Sequence, residues 1–393
     1  MEIWILLNEV RFGTSGWSYN EWIGPFYKDK KTRKLSHYSS IFSTAEINST
    51  FYAYPKRGTV FGWWRFTDPN FVFSAKLPRV ITHQKKLKVE DGVTQDIIRF
   101  TELLQPLWSN GKLGPLLIQL PPSLDMDLQL LKEFFKILPK EFNFAIEFRH
   151  LSWWNEETWK LLRKYNVANT IVDEPLLPSD PVVTANFAYI RWHGHGERIW
   201  YDYHYDDNEL KPWISKIEKI KKKTKTIYGY FNNHFHGYAV DNCLTILEML
   251  NVISPEQMNA KNKVNRFLRN RPEESQKQLT LYSTSPLEDL ILGLSDVARL
   301  KRAKEIPNDE LSISEFSPDK VEAKVKNYKI VIDVNEQFIR HDCDDWSRQA
   351  SRKKICKHLG KLFLSLPQDF AKEILEEIRG NKEEWKFIPI NKE

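Results

Sequence analysis

From residue 10 to about residue 250, short runs rich in β-branched and aromatic residues alternate with amphipathic stretches. The strand-like runs are Arg11–Trp17, Thr44–Thr50, Phe71–Leu77, Pro115–Pro121, Phe142–Arg149, Ala168–Asp173, Phe187–Gly194 and Thr226–Asn233. Between them, Thr94–Leu107, Leu128–Leu138, Glu156–Tyr165 and Leu210–Lys222 place apolar residues at helical spacing. Strands that alternate with helices predict parallel pairing through right-handed crossovers. Eight such units predict an α/β fold, a TIM-type (β/α)₈ barrel. An open doubly wound sheet is the alternative, but no Gly-x-Gly-x-x-Gly follows the first strand, which weakens a dinucleotide-binding version of it.

Tyr238–Leu250 is the expected closing helix, and the pattern then changes. Ser254–Lys277 is polar and charged, with Arg266, Arg269 and Arg271 close together. It reads as a linker or an exposed helix. Leu287–Ala303 is a predicted helix, followed by two strands over Val325–Asp333 and Gln337–Arg340. In the helix after these strands, Ile355, Leu359, Leu362 and Phe363 share one face. The expected organisation is a barrel over 1–252, a charged linker and helical region over 253–320, and a small α+β zinc-binding domain over 321–393. No repeat of solenoid period is present.

Composition narrows the class. The 393 residues are 41% hydrophobic and 13% aromatic, enough for large cores, which excludes wholesale disorder. A net charge of +6 and a pI near 8.9 suit a phosphate-bearing partner and equally a solvated Lys/Glu surface. Three cysteines in so long a chain argue for a reducing compartment. The Ile3–Leu7 run is too short for a membrane span or a signal core, so the expectation is a cytoplasmic protein without a membrane partner.

Two of those cysteines carry the first candidate chemistry. His341-Asp342-Cys343 and Cys356-Lys357-His358 set two His/Cys pairs in mirror order, with twelve residues between them. Imidazole and thiolate are the donors that a tetrahedral structural Zn²⁺ selects, and four of them close its shell. The bland alternative is two buried cysteines beside two surface histidines. Cys243, alone in the closing helix, reads as a core residue. Arg348, Arg352, Lys353, Lys354, Lys357 and Lys361 form a basic run beside the metal motif and are candidate nucleic-acid contacts, although charge runs are usually solvated faces. A protein partner on this domain is the other option, and the oligomeric state is open.

Reactive groups of a barrel sit where strands end. Here those ends carry Trp17, Glu46, Asn48, Lys76, Gln119, Glu147, Arg149, His150, Asp173, Arg191, His193, Tyr230, Asn232 and Asn233, with Tyr52 just beyond the second strand. Lys76, Arg149 and Arg191 suit an anionic ligand, or else neutralise Glu46 and Glu147 in a rigid network. Glu46, Glu147, Asp173 and His193 are candidate ligands of Mg²⁺ or Mn²⁺, which would activate water. Without a metal, His150 or His193 with Glu147 offers acid–base catalysis. Aromatics such as Trp17 and Tyr52 are either stacking platforms or the cap of the core. The long loop after the seventh strand, with His195, Trp200, Tyr201, Tyr203 and His204, has the length of a functional lid.

Several of these strand ends carry a family resemblance. Gly13-Thr14-Ser15-Gly16-Trp17-Ser18-Tyr19 with Trp22, Glu46-Ile47-Asn48-Ser49-Thr50-Phe51-Tyr52 and Gln119-Leu120-Pro121-Pro122 resemble the domain-of-unknown-function 72 (YecE-like) family. So do Glu147-Phe148-Arg149-His150-Leu151-Ser152-Trp153, Arg191-Trp192-His193-Gly194 and Tyr230-Phe231-Asn232-Asn233. The resemblance spans Val10 to Leu250 in the correct order and implies a (β/α)₈ barrel, but no settled reaction. Apurinic-endonuclease and sugar-isomerase barrels are analogous at fold level only. The tail resembles the SWIM zinc finger, Cys-x-Cys then Cys-x-His, with His341 in place of the first cysteine. That resemblance implies DNA or protein binding.

The expected function is nucleic-acid processing, foremost phosphodiester hydrolysis in DNA repair or RNA processing. In that expectation Glu46, Glu147, His150, Asp173 and His193 serve catalysis, and the other strand-end residues bind substrate. A sugar or sugar-phosphate isomerase or epimerase, and a non-catalytic nucleic-acid-binding scaffold, are the rivals.

Overall fold

The computed structural model describes residues 9–196, 200–270, 286–317, 320–380 and 384–390, so the Ile3–Leu7 run and Arg271 lie outside the described residues. The chain divides between Pro272 and Glu273 into two compact units. In the first, eight parallel strands close into a barrel: β1 (Glu9–Ser15), β2 (Thr44–Ile47), β3 (Val72–Lys76), β4 (Leu113–Gln119), β5 (Phe144–Glu147), β6 (Ala168–Asp173), β7 (Phe187–Trp192) and β8 (Thr226–Phe231). β8 returns to β1 in parallel register, from Glu9 opposite Thr226 to Thr14 opposite Phe231. At that seam Gly229 is required, because a Cβ there would lie 2.6 Å from the Phe12 ring.

The crossover helices sit where apolar periodicity places them, and side-chain caps fix where they begin. Asp127 and Asn155 accept backbone N–H bonds at the starts of the 128–137 and 156–165 helices. An Asp206/Glu209 capping box starts the seventh-strand crossover helix at Asp207, three residues before its first apolar position, Leu210. No helix among the described residues is long and apolar enough to cross a membrane.

Inward-facing side chains alternate along every strand of a barrel. The lower interior is apolar, with Leu117, Ala145, Ala168 and Phe187 in one buried cluster. Above it the interior turns polar: the Tyr230 hydroxyl lies 2.8 Å from both Thr44 Oγ1 and Ser74 Oγ. Further along the same strands come Glu46, Lys76, Glu147 and Arg191.

The 253–320 region, expected as a charged linker and helical region, is divided between the two units. Helix 255–269 belongs to the barrel unit: Val264 is fully buried in its core and the Phe267 ring lies over Gly24. The predicted Leu287–Ala303 helix is two helices, 286–293 and 297–304, interrupted where Asp296 caps the second. Leu287, Ile291, Leu294 and Leu300 are buried in the core of the second unit.

That unit is built on a five-stranded sheet in the order β13 (Lys386–Pro389), β12 (Phe338–His341), β11 (Tyr328–Asp333), β10 (Lys320–Val325) and β9 (Leu311–Phe316). Neighbours are antiparallel except β12 and β13. The predicted Val325–Asp333 strand spans a turn: Lys326 takes φ 56° between β10 and β11. Trp346, Leu359, Leu362, Phe363 and Trp385 are fully buried beside the sheet residues Val321, Ile330 and Ile339.

Candidate functional site

The upper barrel interior holds a network of charges around Arg191. Its guanidinium donates from Nη2 to Glu46 Oε1 at 2.8 Å and from Nη1 to Glu147 Oε2 at 2.7 Å. Glu46 is further held by Ser15 Oγ and the Tyr189 hydroxyl, each at 2.7 Å. Arg149 pairs with the other oxygen of Glu147 and donates to Glu174 Oε2 at 2.5 Å. His193 Nε2 lies 3.1 Å from Arg149 Nη2, and its Nδ1 lies 3.0 Å from the Asn232 amide. Glu46, Glu147 and His193 are wholly buried.

Removal of these charges from water is costly, and the pairing offsets that cost. Burial disfavours the Glu147 carboxylate, yet Arg149 and Arg191 hold its pKa well below the usual value. Burial, reinforced by the same two arginines, lowers His193 to about 3, so its ring is neutral. Glu174 goes the other way, raised by burial against the pull of Arg149.

Lys76, at the end of β3, differs from both arginines. Among the described residues no carboxylate pairs with its ammonium, whose Nζ sits 3.8 Å from the centroid of the Phe51 ring. Burial first, then Arg191, lowers it to about 7. Lys76 is buried, with 9% of the residue's surface accessible.

The structure therefore brings together Glu46, Glu147, Lys76, Arg149, Arg191, His193 and Asn232. Four expected members lie elsewhere. Asp173 faces away from the interior and is bound by His195 Nε2 at 2.7 Å and Trp213 Nε1 at 2.9 Å. His150 also faces outward, to Ser152 Oγ at 2.8 Å. Tyr230 belongs to the sealed layer below the mouth, and Asn233 is buried in bonds to the Tyr203 carbonyl and Asn242. Trp17 packs on Trp63 and Phe73, and Tyr52 stands edge-on to Phe51. Gln119 is half-buried, in register with Glu147 on the next strand. The Asn48 Oδ1 is buried with no hydrogen-bond partner.

The expected Mg²⁺ or Mn²⁺ set is not assembled. Asp173 is absent from it, and each remaining carboxylate already carries an arginine. Glu174 is the member that strand-end reading passed over, and Tyr201 comes from the loop expected as a lid. The Tyr201 ring lies 5.8 Å from that of His193, so the long loop after β7 does reach the mouth.

In the second unit, the donor atoms of His341, Cys343, Cys356 and His358 all lie within 4.8 Å of one another, and all four residues are buried. Among the described residues no other group of three or more such side chains converges in this way. The fold positions them: β12 ends on His341, while Cys343 and Cys356 cap helices 344–349 and 357–365. His341 Nδ1 donates to the Lys329 carbonyl at 2.7 Å, which leaves Nε2 as the acceptor. His341 Nε2 is buried without a hydrogen-bond partner, as a metal-facing nitrogen would be, and His358 brings Nδ1 to 4.0 Å from Cys356 Sγ. A hydrogen bond from Cys356 lowers Cys343, and burial raises Cys356. The donor set fits a tetrahedral metal ion.

The chain between these cysteines lines a cavity of about 710 Å³, bounded by Arg299, Arg302, Asp345, Arg348, Arg352 and Lys357 together with small polar residues. Arg299 is neutralised by Asp345 and Asp296. The other four cations have no ion pair among the described residues. Lys353 and Lys354 lie outside this lining. Lys361 is a correction to the expected basic surface, because it is buried and donates to Asn308 Oδ1 at 2.6 Å.

Residues 11–266 match the profile of a family described as protein of unknown function DUF72. The UPF0759 protein YecE of Escherichia coli K12 is 31% identical over 275 residues, covering 63% of this chain and 94% of that protein. The UPF0759 protein YunF of Bacillus subtilis is 26% identical over 279 residues, 63% of this chain and 99% of the relative. A crystal structure of a DUF72 family protein from Thermotoga maritima superposes with a TM-score of 0.56 at 32% identity. That superposition covers 62% of this chain and 99% of the other.

Proposed function

This chain belongs to the DUF72 family, and from that premise we propose that it is a nucleic-acid-processing enzyme whose second unit, outside the family match, grips the phosphate backbone. The observation that carries the reading is the basic cavity, where Arg302, Arg348, Arg352 and Lys357 face a space of about 710 Å³ with the one lining carboxylate already paired. Guanidinium forks suit phosphate oxygens, and unpaired cations in a concave site raise the local concentration of a polyanion. The SWIM-like tail supplies the clamp. Zn²⁺ is the proposed ion, because two imidazoles and two thiolates complete its tetrahedral shell and leave no position for catalysis. Its place is structural, holding the ends of the cavity-lining segment 344–355.

Chemistry belongs to the barrel mouth. Arginines occupy Glu46 and Glu147, so the proposed reaction runs on acid–base groups of the chain and not on the metal-activated water expected from sequence. Strand scission in DNA repair or RNA processing remains the proposed outcome. A small sugar-phosphate substrate is the second reading, favoured by the deep burial of the mouth charges Glu46, Glu147 and Lys76.

Fluorescence anisotropy with a labelled oligonucleotide tests the binding claim. The apparent affinity should fall steeply with salt, because each phosphate contact releases about 0.9 counterion on duplex DNA. Arg348→Ala with Arg352→Ala should weaken binding and flatten that slope by about 2 if each contacts one phosphate. Salt-independent binding, or an unchanged slope, would remove the reading.

A further inference from the structure

Lys76 has a feature that the reading above leaves unused. A lysine sealed among charges ordinarily carries a carboxylate partner, yet both nearby glutamates are committed to Arg191 and Arg149. The amine instead lies against the face of Phe51. Asn48, which continues the inward alternation of β2 beyond Glu46, leaves a buried Oδ1 without a hydrogen-bond partner. That oxygen can accept a hydrogen bond from a ligand hydroxyl.

An amine next to two guanidinium groups in a desolvated pocket loses its proton near neutral pH, the condition for nucleophilic attack on a carbonyl. The other charged or titratable groups around it are Glu46 on β2, Glu147 and Arg149 at the end of β5, Arg191 on β7 and His83 in the segment after β3. Burial, then Lys76 and Arg79, lowers His83 to about 3, so it too is neutral and adds no anion.

We propose that Lys76 is a nucleophile that forms an imine with an aldehydic sugar phosphate, presented either as an abasic site in nucleic acid or as the free sugar phosphate. The proposal rests on the processing function above for its choice of substrate. In the first step the neutral Nζ attacks the aldehyde carbon, a C–N bond forms, and the carbonyl electron pair passes to oxygen, which takes a proton from the nitrogen. The nitrogen lone pair then forms the second C–N bond as the carbon–oxygen bond breaks, and with one further proton from solvent the oxygen leaves as water. In the abasic case the iminium acidifies the adjacent carbon. Its proton passes to water, its C–H electron pair forms a carbon–carbon double bond, and the 3′ phosphate departs with the carbon–oxygen pair. No oxidant and no metal ion is required.

Reductive trapping on the full chain tests this. An oligonucleotide with one abasic site and free 2-deoxyribose 5-phosphate are incubated separately with cyanoborohydride, and the adduct is located by peptide mass mapping. The expected result is a covalent adduct on Lys76, absent with an intact oligonucleotide, with a yield that rises through about pH 7 and not above pH 10. Lys76→Arg and Lys76→Met should both lose the adduct while thermal unfolding shows that the barrel is retained. Trapping with the sugar phosphate alone would assign the free small molecule as the substrate. Adduct on surface lysines only, or undiminished in both variants, would overturn the proposal. Anisotropy with intact oligonucleotide is read in parallel: binding without trapping sinks this inference and spares the processing function, whereas trapping without binding does the reverse.

Discussion

Arg191 is the residue on which the barrel mouth is built. Its replacement by Met would leave Glu46 and Glu147 buried with one cation fewer, and breaking a buried pair from one side costs about 3–5 kcal/mol. Urea unfolding of Arg191→Met should show a loss of that order; a change near zero would mean the carboxylates reach solvent. The same network sets a pH dependence. His193 has a folded pKa near 3 against about 6.5 when free, and Glu147 is likewise depressed, so the unfolded chain binds more protons between those limits. Stability should therefore be fully present above about pH 6.5 and fall as pH drops toward 3. His193→Asn should shallow that decline in a pH series of thermal melts, and an unaltered slope would show that the histidine is not the group responsible. Much of this site was legible in the sequence, because strand ends mark the mouth. The errors at Asp173, His150 and Asn233 share one cause. Inward positions alternate, so Glu147 and Arg149 face in while His150 faces out, and after Ala168, Thr170 and Val172 the inward acid is Glu174. Period two, applied strictly, selects Glu174 over its neighbour.

At the scale of elements, the turn after β7 is the most demanding. Gly194 has φ +92°, and a Cβ there would lie 2.1 Å from the Trp200 carbonyl oxygen. Gly194→Ala should lower the melting temperature and loosen the loop that brings Tyr201 to His193. Hydrogen exchange confined to that loop would confirm it, and a wild-type exchange pattern would refute it. The barrel strands were readable because each is a short apolar run between clear breaks. The second unit hid more of itself. β9 is exposed along nearly its whole length and carries no buried alternation to betray it. The β10–β11 turn places a lysine, not a glycine, in the left-handed region, so the predicted strand runs through the turn from Val325 and the rest of β10 was missed. Leu287–Ala303 was legible as helical, but the break before Asp296 was not, and helix 286–293 packs on helices 357–365 and 368–380, which lie later in the chain.

For the whole molecule, the two units have separate sources of stability. The barrel has an aromatic-rich core of its own, whereas the second unit ties β12 to two helix starts through four buried donors. Chelation or Cys356→Ser should lower one calorimetric transition and leave the barrel's in place, since metal affinity enters folding directly. A single transition that moves as a unit would contradict independent stabilisation. Anomalous diffraction from crystals soaked in Mn²⁺, recorded at the zinc and manganese edges, tests most directly where divalent ions act. The prediction is a zinc peak among His341, Cys343, Cys356 and His358, with no manganese between Glu46 and Glu147, where Arg191 already sits. A manganese peak there, with Arg191 swung aside, would restore metal-dependent hydrolysis and contradict a mouth that works through Lys76.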